Sequence, residues 1–159
     1  NNIRYKITVS YEGYSWNINT YKDKWYGIVG STYYYYRDHE KLTGMHDLSY
    51  YSIQFGKDLV NTYYFNADGT MITRWKLNSD GTYYYFLETD EENVDQLINL
   101  GYQRGAMIKS NWVKIRSIGT NEFYWYYFNA NGVMLTGWQQ IAGYWYYMNS
   151  LGHMLTGWQ

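Results

Sequence analysis

Residues 137–156 read GWQQIAGYWYYMNSLGHMLT, and the pattern begins again at once with Gly157 and Trp158. The second half of this unit recurs 20 residues earlier, as WYYFNANGVMLT over residues 125–136. A third copy, YYFNADGTMITRW, occupies residues 63–75. Weaker copies run from Trp75 to Trp112 and from Trp25 to Met45. The chain is therefore predicted to consist of repeats of about 20 residues.

Each repeat has the composition of a β-hairpin. Runs of aromatic and β-branched residues are separated by Gly and Asn signals, which favour tight turns. Ala142-Gly143 is the predicted turn within the last hairpin, and residues 66–69, 129–132 and 149–152 are the predicted loops between hairpins. A single hairpin is marginally stable in water, so these hairpins must stack to bury their rings. The predicted fold is an all-β solenoid of stacked hairpins.

The composition of the 159 residues excludes several classes of protein. Aromatic residues make up 23% of the chain, which is too many for a disordered protein. Cys and Pro are both absent, so stacked rings must replace disulfide bonds as the source of stability. A formal net charge of -1 argues against nucleic-acid binding, and no apolar run reaches the length of a membrane span. Because the chain begins with Asn1 and shows no signal-peptide pattern, we expect it to be a piece of a longer protein.

One segment inside the repeats has the pattern of a helix. Thr89 and Glu92 have the spacing of a capping box, and apolar residues follow at helical spacing until Gly101. We therefore predict one short helix over residues 90–100, within an insertion over residues 87–104. The carboxylates of Asp90, Glu91 and Glu92 are interpreted as favourable charges at the start of this helix.

The start of the chain also departs from the repeat. Apolar and polar residues alternate over residues 3–11, which predicts a half-buried strand in an N-terminal cap over residues 1–24. Degenerate repeats are predicted over residues 25–111, and well-formed repeats over residues 112–159.

The Gly-Trp pairs and the run from Tyr144 to Tyr147 resemble the choline-binding repeat, the cell-wall-binding module of Gram-positive surface proteins and lysins. The resemblance is strongest over residues 111–159 and extends to residues 61–76. It implies a left-handed solenoid that binds phosphocholine on teichoic acids, with a separate catalytic or effector region elsewhere in the full protein. The module itself is expected to be non-catalytic and to need no cofactor or metal ion. The resemblance also implies a secreted protein attached to the bacterial cell wall. Glucan-binding repeats of glucansucrases and the repeats of large clostridial toxins are similar.

Choline carries a quaternary ammonium group that cannot donate a hydrogen bond, so aromatic faces are expected to hold it. Successive residues of a strand point to opposite sides, so Tyr146 is expected to face the preceding repeat. There it would complete an aromatic box with Trp112 and Trp125, and Met154 would form the floor. This arrangement agrees with the pattern of the family that the repeat resembles.

The same rule predicts further boxes at other junctions. The second groups Trp75, Tyr83, Tyr126 and Met134. Trp138 and Trp145 would form a third, open box, which we expect further repeats or a second copy of the chain to complete, so end-to-end self-association is a predicted property. Two early positions lack an aromatic wall, because Thr62 and Met45 replace the tryptophans there.

Other interpretations remain open from the sequence. The same repeats could bind a glucan or another glycan, with Gln139, Gln140 and Lys114 donating hydrogen bonds to sugar hydroxyls. The chain could also be a structural module that self-associates. Catalysis and metal binding have little support, because the acidic and histidine residues at 38–40 and 46–47 match no ligand spacing. His153 lies in a loop position and is expected to be solvated.

Overall fold

The computed structural model describes residues 5–11, 14–20, 24–28, 32–37, 40–117 and 120–157. Fourteen strands and one helix lie within these ranges. The strands are β1 (Tyr5–Tyr11), β2 (Tyr14–Thr20), β3 (Lys24–Ile28), β4 (Thr32–Arg37), β5 (Glu40–Lys41), β6 (Gly44–Ser52), β7 (Lys57–Phe65), β8 (Arg74–Leu77), β9 (Tyr83–Phe86), β10 (Asn111–Arg116), β11 (Phe123–Phe128), β12 (Gly137–Ile141), β13 (Tyr144–Met148) and β14 (Met154–Leu155). The helix α1 is Val94–Asn99. The predicted all-β class with one short helix is confirmed.

The strands form six small antiparallel sheets, each built around one hairpin. Four sheets have two strands, namely β1-β2, β6-β7, β8-β9 and β10-β11. The sheets β3-β4-β5 and β12-β13-β14 have a third, two-residue strand. The predicted repeat of hairpins is therefore present. The solenoid, the domain boundaries and the role of β1 and β2 as a cap stay predictions, and Trp158 lies outside the described residues.

The turn predictions are confirmed. Ala142 and Gly143 have φ values of 51° and 86° and connect β12 to β13 directly. In the loop that follows, the N–H group of Gly152 donates to the carbonyl of Asn149 at 2.9 Å. The loops that end at Gly69 and Gly132 repeat this hydrogen bond at the same distance. The Asn and Gly signals therefore mark real turns: each asparagine accepts the hydrogen bond at the start of its loop, and each glycine ends the loop with a positive φ.

A methionine follows each of the later hairpins at a fixed place. Met71, Met107 and Met134 form isolated bridges with the last phenylalanine of β7, β9 and β11, and Met154 pairs with Met148 of β13. The N–H group of Met134 also donates to the carbonyl of Tyr83 at 2.9 Å, which joins the hairpin β10-β11 to the hairpin β8-β9. These methionines thus place the loop of one hairpin against the preceding hairpin.

The described chain divides into two compact units. The first comprises residues 1–45 and 64–72, and the second comprises residues 46–63 and 73–159. In the first unit, the N–H group of Met71 donates to the carbonyl of Tyr33 at 2.8 Å. The core of the second unit combines residues from hairpins, insertion and helix: Tyr85, Leu87, Leu97, Ile108, Val113, Ile115, Tyr126 and Phe128. Because Leu97 of α1 belongs to this core, the insertion is packed into the second unit.

The helix is shorter than the predicted range of 90–100, and the predicted capping box is wrong. The N-cap residue is Asn93, which makes no side-chain capping bond. Glu92 instead forms an ion pair with Lys114, with Oε2 and Nζ 2.9 Å apart. Gly101 follows the helix with φ of 102°, so the predicted stop is correct.

The carboxylates before the helix bind side chains and backbone groups of the second unit. Their interpretation as favourable charges at the start of the helix is therefore wrong. Glu91 is 3% exposed and accepts hydrogen bonds from the Tyr85 hydroxyl and the Arg116 N–H group. The Arg74 guanidinium contacts both Glu91, at 3.3 Å, and Asp90, at 2.8 Å. Burial raises the pKa of Glu91, and the Tyr85 hydroxyl and the Arg116 N–H group partly offset that rise. These contacts hold the segment after β9 in a series of turns, and the helix begins only at Val94.

Candidate functional site

The register of β10 and β11 places one aromatic set on a single face of the hairpin. Trp112 lies opposite Tyr127, and Lys114 lies opposite Trp125. Because alternate residues of a strand share a face, these four side chains point to the same side. Val113 and Tyr126 point to the other side, where they are buried in the core. The hairpin therefore presents a surface of two tryptophans to its neighbour.

Tyr146 of the next hairpin approaches this surface. The ring centroids of Trp112 and Tyr146 are 4.9 Å apart, and those of Trp112 and Trp125 are 6.4 Å apart with perpendicular planes. Together with Met154, these three rings line an open cavity of about 360 Å³. The structure thus brings the four residues of the first predicted box to one place, and we name this cavity the aromatic box.

The helix forms a further wall of the aromatic box that the sequence did not predict. Four residues of α1 and its flanks line the cavity, namely Asn93, Gln96, Leu97 and Leu100, and Asn111 at the start of β10 lines it as well. The amide Nδ2 of Asn93 donates to the carbonyl of Trp112 at 3.1 Å, and its Oδ1 accepts from the N–H group of Lys114 at 2.9 Å. The helix is thereby fixed to the strand that carries Trp112. Only the position of the insertion between two repeats could have suggested this wall.

The second predicted set repeats the ring geometry of the aromatic box. Trp75 lies 6.0 Å from Tyr83 and 5.0 Å from Tyr126 of the next hairpin. Met134 packs against the core at this place, and its N–H group binds the carbonyl of Tyr83. Burial raises the pKa of Tyr126 to about 12, so its hydroxyl stays protonated at neutral pH. The four residues are therefore brought together as predicted.

His153 lies against the second set, which corrects the expectation that it is solvated. Its imidazole stacks on Tyr124 with ring centroids 3.9 Å apart and planes 4° apart, and it meets Tyr126 edge-on at 5.3 Å. Burial lowers the pKa of His153. The loop after β13 thus covers one side of the second set with a neutral ring.

Trp138 and Trp145 are not enclosed. They are 58% and 64% exposed, and the ring of Trp138 contacts Tyr147 of its own hairpin at 5.1 Å. No tyrosine among the described residues takes the place that Tyr126 and Tyr146 take at the other two sets. The predicted third box is open in this part of the chain.

A different arrangement occurs where Thr62 replaces the tryptophan of the repeat. The ammonium group of Lys109 donates to Oγ1 of Thr62 at 2.7 Å, and this hydroxyl donates to a carboxylate oxygen of Asp47. A cavity of about 350 Å³ opens beside this chain of hydrogen bonds. We name it the polar cavity.

The charges near the aromatic box are few. The Nζ atom of Lys114 lies 5.8 Å from the ring centroid of Trp125 and pairs with Glu92.

Within the described residues, no group of three His, Asp or Glu side chains could hold a metal ion. No helix in that part of the chain is long and apolar enough to cross a membrane. The arrangement can bind an apolar or cationic group through aromatic faces.

The fold and the site define a class of protein: a hairpin repeat protein whose aromatic side chains form boxes between neighbouring hairpins. Residues 61–71, 124–134 and 136–154 match the family model of the putative cell wall binding repeat. These segments of the chain are therefore repeats of that family, as the sequence predicted.

Solved structures support the same family. A crystal structure of CbpF in complex with ipratropium has 27% sequence identity and a TM-score of 0.60, covering 92% of this chain and 43% of that chain. Crystal form II of choline binding protein F from Streptococcus pneumoniae has 27% identity and a TM-score of 0.58, covering 92% and 42%. The chain thus spans less than half of the length of these two similar proteins. No curated protein sequence matches it.

Proposed function

We propose that the chain is a non-catalytic cell-wall-binding module that holds the choline group of phosphocholine-bearing teichoic acids in aromatic boxes. The observation that carries this proposal is the convergence of Trp112, Trp125 and Tyr146 on one cavity of about 360 Å³. The family of the repeats and the similarity to choline binding protein F support it. The set around Trp75 is proposed as a second site.

The aromatic box suits a quaternary ammonium group for a physical reason. Such a group cannot donate hydrogen bonds, and cation–π contacts with several rings contribute about 0.5–2 kcal/mol each. Three contacts of ~1 kcal/mol, together with burial of methyl groups, correspond to a dissociation constant in the millimolar range, or about -4 kcal/mol. One site therefore binds weakly.

Strong attachment would come from many weak sites. A repetitive polymer presents many choline groups, and stacked repeats present several boxes, so the second contact benefits from a high effective concentration. We accordingly propose that the hairpins stack as a solenoid and that the protein is secreted and attached to a bacterial cell wall. The match to a cell wall binding repeat supports this location.

Calorimetric titration with choline tests the proposal. We expect millimolar affinity, quenching of tryptophan fluorescence and a higher melting temperature with ligand. Trp125→Leu should remove one site from the measured stoichiometry. Tyr51→Leu, which replaces an aromatic residue that is 64% exposed, is the matched control and should bind as the wild type does. Unchanged stoichiometry in Trp125→Leu would contradict the assignment of the aromatic box.

The glycan alternative has less support from side-chain positions. Gln139 donates its amide to the carbonyl of Thr136 at 2.9 Å, and Lys114 pairs with Glu92, so two of the three predicted sugar donors have protein partners. Titration with an α-glucan is the discriminating measurement. Binding of glucan without binding of choline would overturn the proposed function in favour of this alternative.

Self-association has one structural observation in its favour. Trp138 and Trp145 expose more than half of their surface on the same face of the hairpin β12-β13. Covering these rings with a second copy of the chain would bury apolar area. Sedimentation of the wild type and of Trp138→Ser tests this, because only the wild type should show concentration-dependent dimers.

A further inference from the structure

The aromatic box and the polar cavity adjoin each other. Both cavities are lined by Leu100, at the end of the helix, and by Asn111, at the start of β10. Lys109 lines the polar cavity and precedes Trp112 of the aromatic box by three residues, so their Cα atoms are at most about 11 Å apart. The two cavities therefore share a boundary at Leu100 and Asn111, where an extended ligand would pass from one to the other.

The polar cavity differs in chemistry from the aromatic box. Of the ten residues that line it, Lys109 alone is charged, and five are uncharged residues with polar side chains or, for Gly101, a backbone carbonyl that accepts from Tyr50 and Asn61: Asn61, Thr62, Gly101, Tyr102 and Asn111. The remaining four are apolar. The Tyr102 hydroxyl donates to the carbonyl of Lys109 at 2.8 Å and accepts from Asn111 at 2.8 Å, so it fixes the backbone from which Lys109 projects.

The lysine retains binding capacity. An ammonium group has three donors, and Lys109 uses one of them on the Thr62 hydroxyl. Asp47 accepts from that same hydroxyl, so its carboxylate reaches the ammonium group through Thr62 and offsets part of its charge. The other nearby charges, Lys114 and Glu92, pair with each other beside the aromatic box. Lys109 therefore contributes positive potential to a cavity whose lining contains no carboxylate.

We propose that the polar cavity is an anion subsite, in which Lys109 binds the phosphate group attached to the choline held in the aromatic box. This inference rests on the proposed function, because it takes the choline position as given. A bare choline cation gains nothing from Lys109, whereas a zwitterionic phosphocholine gains a charge-assisted hydrogen bond. Lys109 is thus a specificity-determining residue that favours phosphate esters and phosphodiesters of choline over free choline.

The insertion creates this second subsite. Leu100, Gly101 and Tyr102 belong to the segment that follows α1, and Leu97 anchors that segment in the core at 1% exposure. The next two hairpins, β10-β11 and β12-β13, are joined by residues 129–136 and carry no such insertion. The anion preference is therefore specific to the junction that contains the helix.

Titration of three ligands against the whole chain tests the inference: choline, phosphocholine and glycerophosphocholine. We expect the wild type to bind both phosphate-containing ligands about tenfold more tightly than choline at the aromatic box. Lys109→Met should reduce this preference to about one while leaving the affinity for choline within twofold. Lys109→Arg should retain the preference, and Lys57→Met, which removes an exposed lysine of β7, is the matched control.

The outcomes separate this inference from the proposed function. If choline binds but Lys109→Met keeps the preference, or the wild type has none, the anion subsite is wrong and the choline box stands. If the wild type binds neither choline nor its phosphate esters, the proposed function fails and the subsite fails with it. Melting curves of each variant exclude unfolding as the cause. A preference for phosphocholine alone identifies a monoester, and an equal preference for glycerophosphocholine identifies a phosphodiester as found in a polymer.

Discussion

At the scale of single residues, the turns within and after the last hairpin depend on glycines for two separate reasons. Gly152 and Gly143 have nearly equal φ values of 85° and 86°, which side chains rarely adopt. A Cβ atom on Gly152 would lie 2.5 Å from Sδ of Met134 and 3.0 Å from Cδ1 of Tyr126. A Cβ atom on Gly143 would meet nothing within 4 Å. A substitution at Gly143 therefore measures backbone strain alone, whereas one at Gly152 measures strain together with steric overlap.

We expect Gly143→Ala to lower the free energy of unfolding by about 1–2 kcal/mol, the cost of a left-handed non-glycine residue. Gly152→Ala should lose about 1–3 kcal/mol more, because it also overpacks the contact with Met134 and Tyr126. Urea denaturation at equilibrium measures both values. Equal losses in the two variants would show that the methionine moves aside without cost.

His153 predicts a pH dependence of stability. Burial lowers its pKa below the ordinary 6.5 in the folded state, so the unfolded chain binds more protons than the folded chain in this range. The stabilisation is complete above pH 6.5 and is lost as the pH falls through the folded pKa. We expect the free energy of unfolding to decrease as the pH falls below about 6.5, and His153→Phe, which keeps a ring on Tyr124, to flatten that slope. His46→Gln is the control, and an unchanged slope in His153→Phe would contradict the assignment.

At the scale of elements, the helix shows what local sequence signals can and cannot predict. Apolar spacing and Gly101 predicted its existence and its end correctly, because both depend on neighbours in the chain. Its start was predicted wrongly, because Glu91 accepts from the Arg116 N–H group and Glu92 pairs with Lys114, and both partners lie more than 20 residues away in sequence. A sequence pattern of a few residues cannot show that a carboxylate will bind a partner far away in the chain.

Asn93 is the residue that joins this helix to the aromatic box. Its side chain makes two hydrogen bonds with the backbone of β10, to the carbonyl of Trp112 and from the N–H group of Lys114. We expect Asn93→Ala to lower the free energy of unfolding by about 1–3 kcal/mol and to increase exchange of the Lys114 amide hydrogen. Asn99→Ala, in the same helix, removes only an exposed contact with Gln54 and is the matched control. Equal exchange at Lys114 in both variants would argue against this role.

At the scale of the whole molecule, the 20-residue period made the aromatic sets predictable. Side chains alternate along each strand, so a repeat of known period places Trp112, Trp125 and Tyr146 at one junction before any coordinates are known. The helical wall and the polar cavity were not predictable in this way, because they arise where the insertion and Thr62 break the period. The regular part of the site follows from repetition, and its specificity follows from the exceptions.

The same periodicity predicts how a further site can be added. Gly157-Trp158-Gln159 repeats Gly137-Trp138-Gln139, so a copy of residues 140–159 joined after Gln159 continues the register. The added hairpin should place the counterpart of Tyr146 over Trp138 and Trp145, raise the choline stoichiometry by one and raise the melting temperature, because each stacked repeat adds a neighbour interface. Calorimetry measures the first and thermal denaturation the second. A matched extension in which the counterpart of Tyr146 is serine should stack without the additional choline site, and equal stoichiometry in the two extended chains would show that the tyrosine does not complete the box.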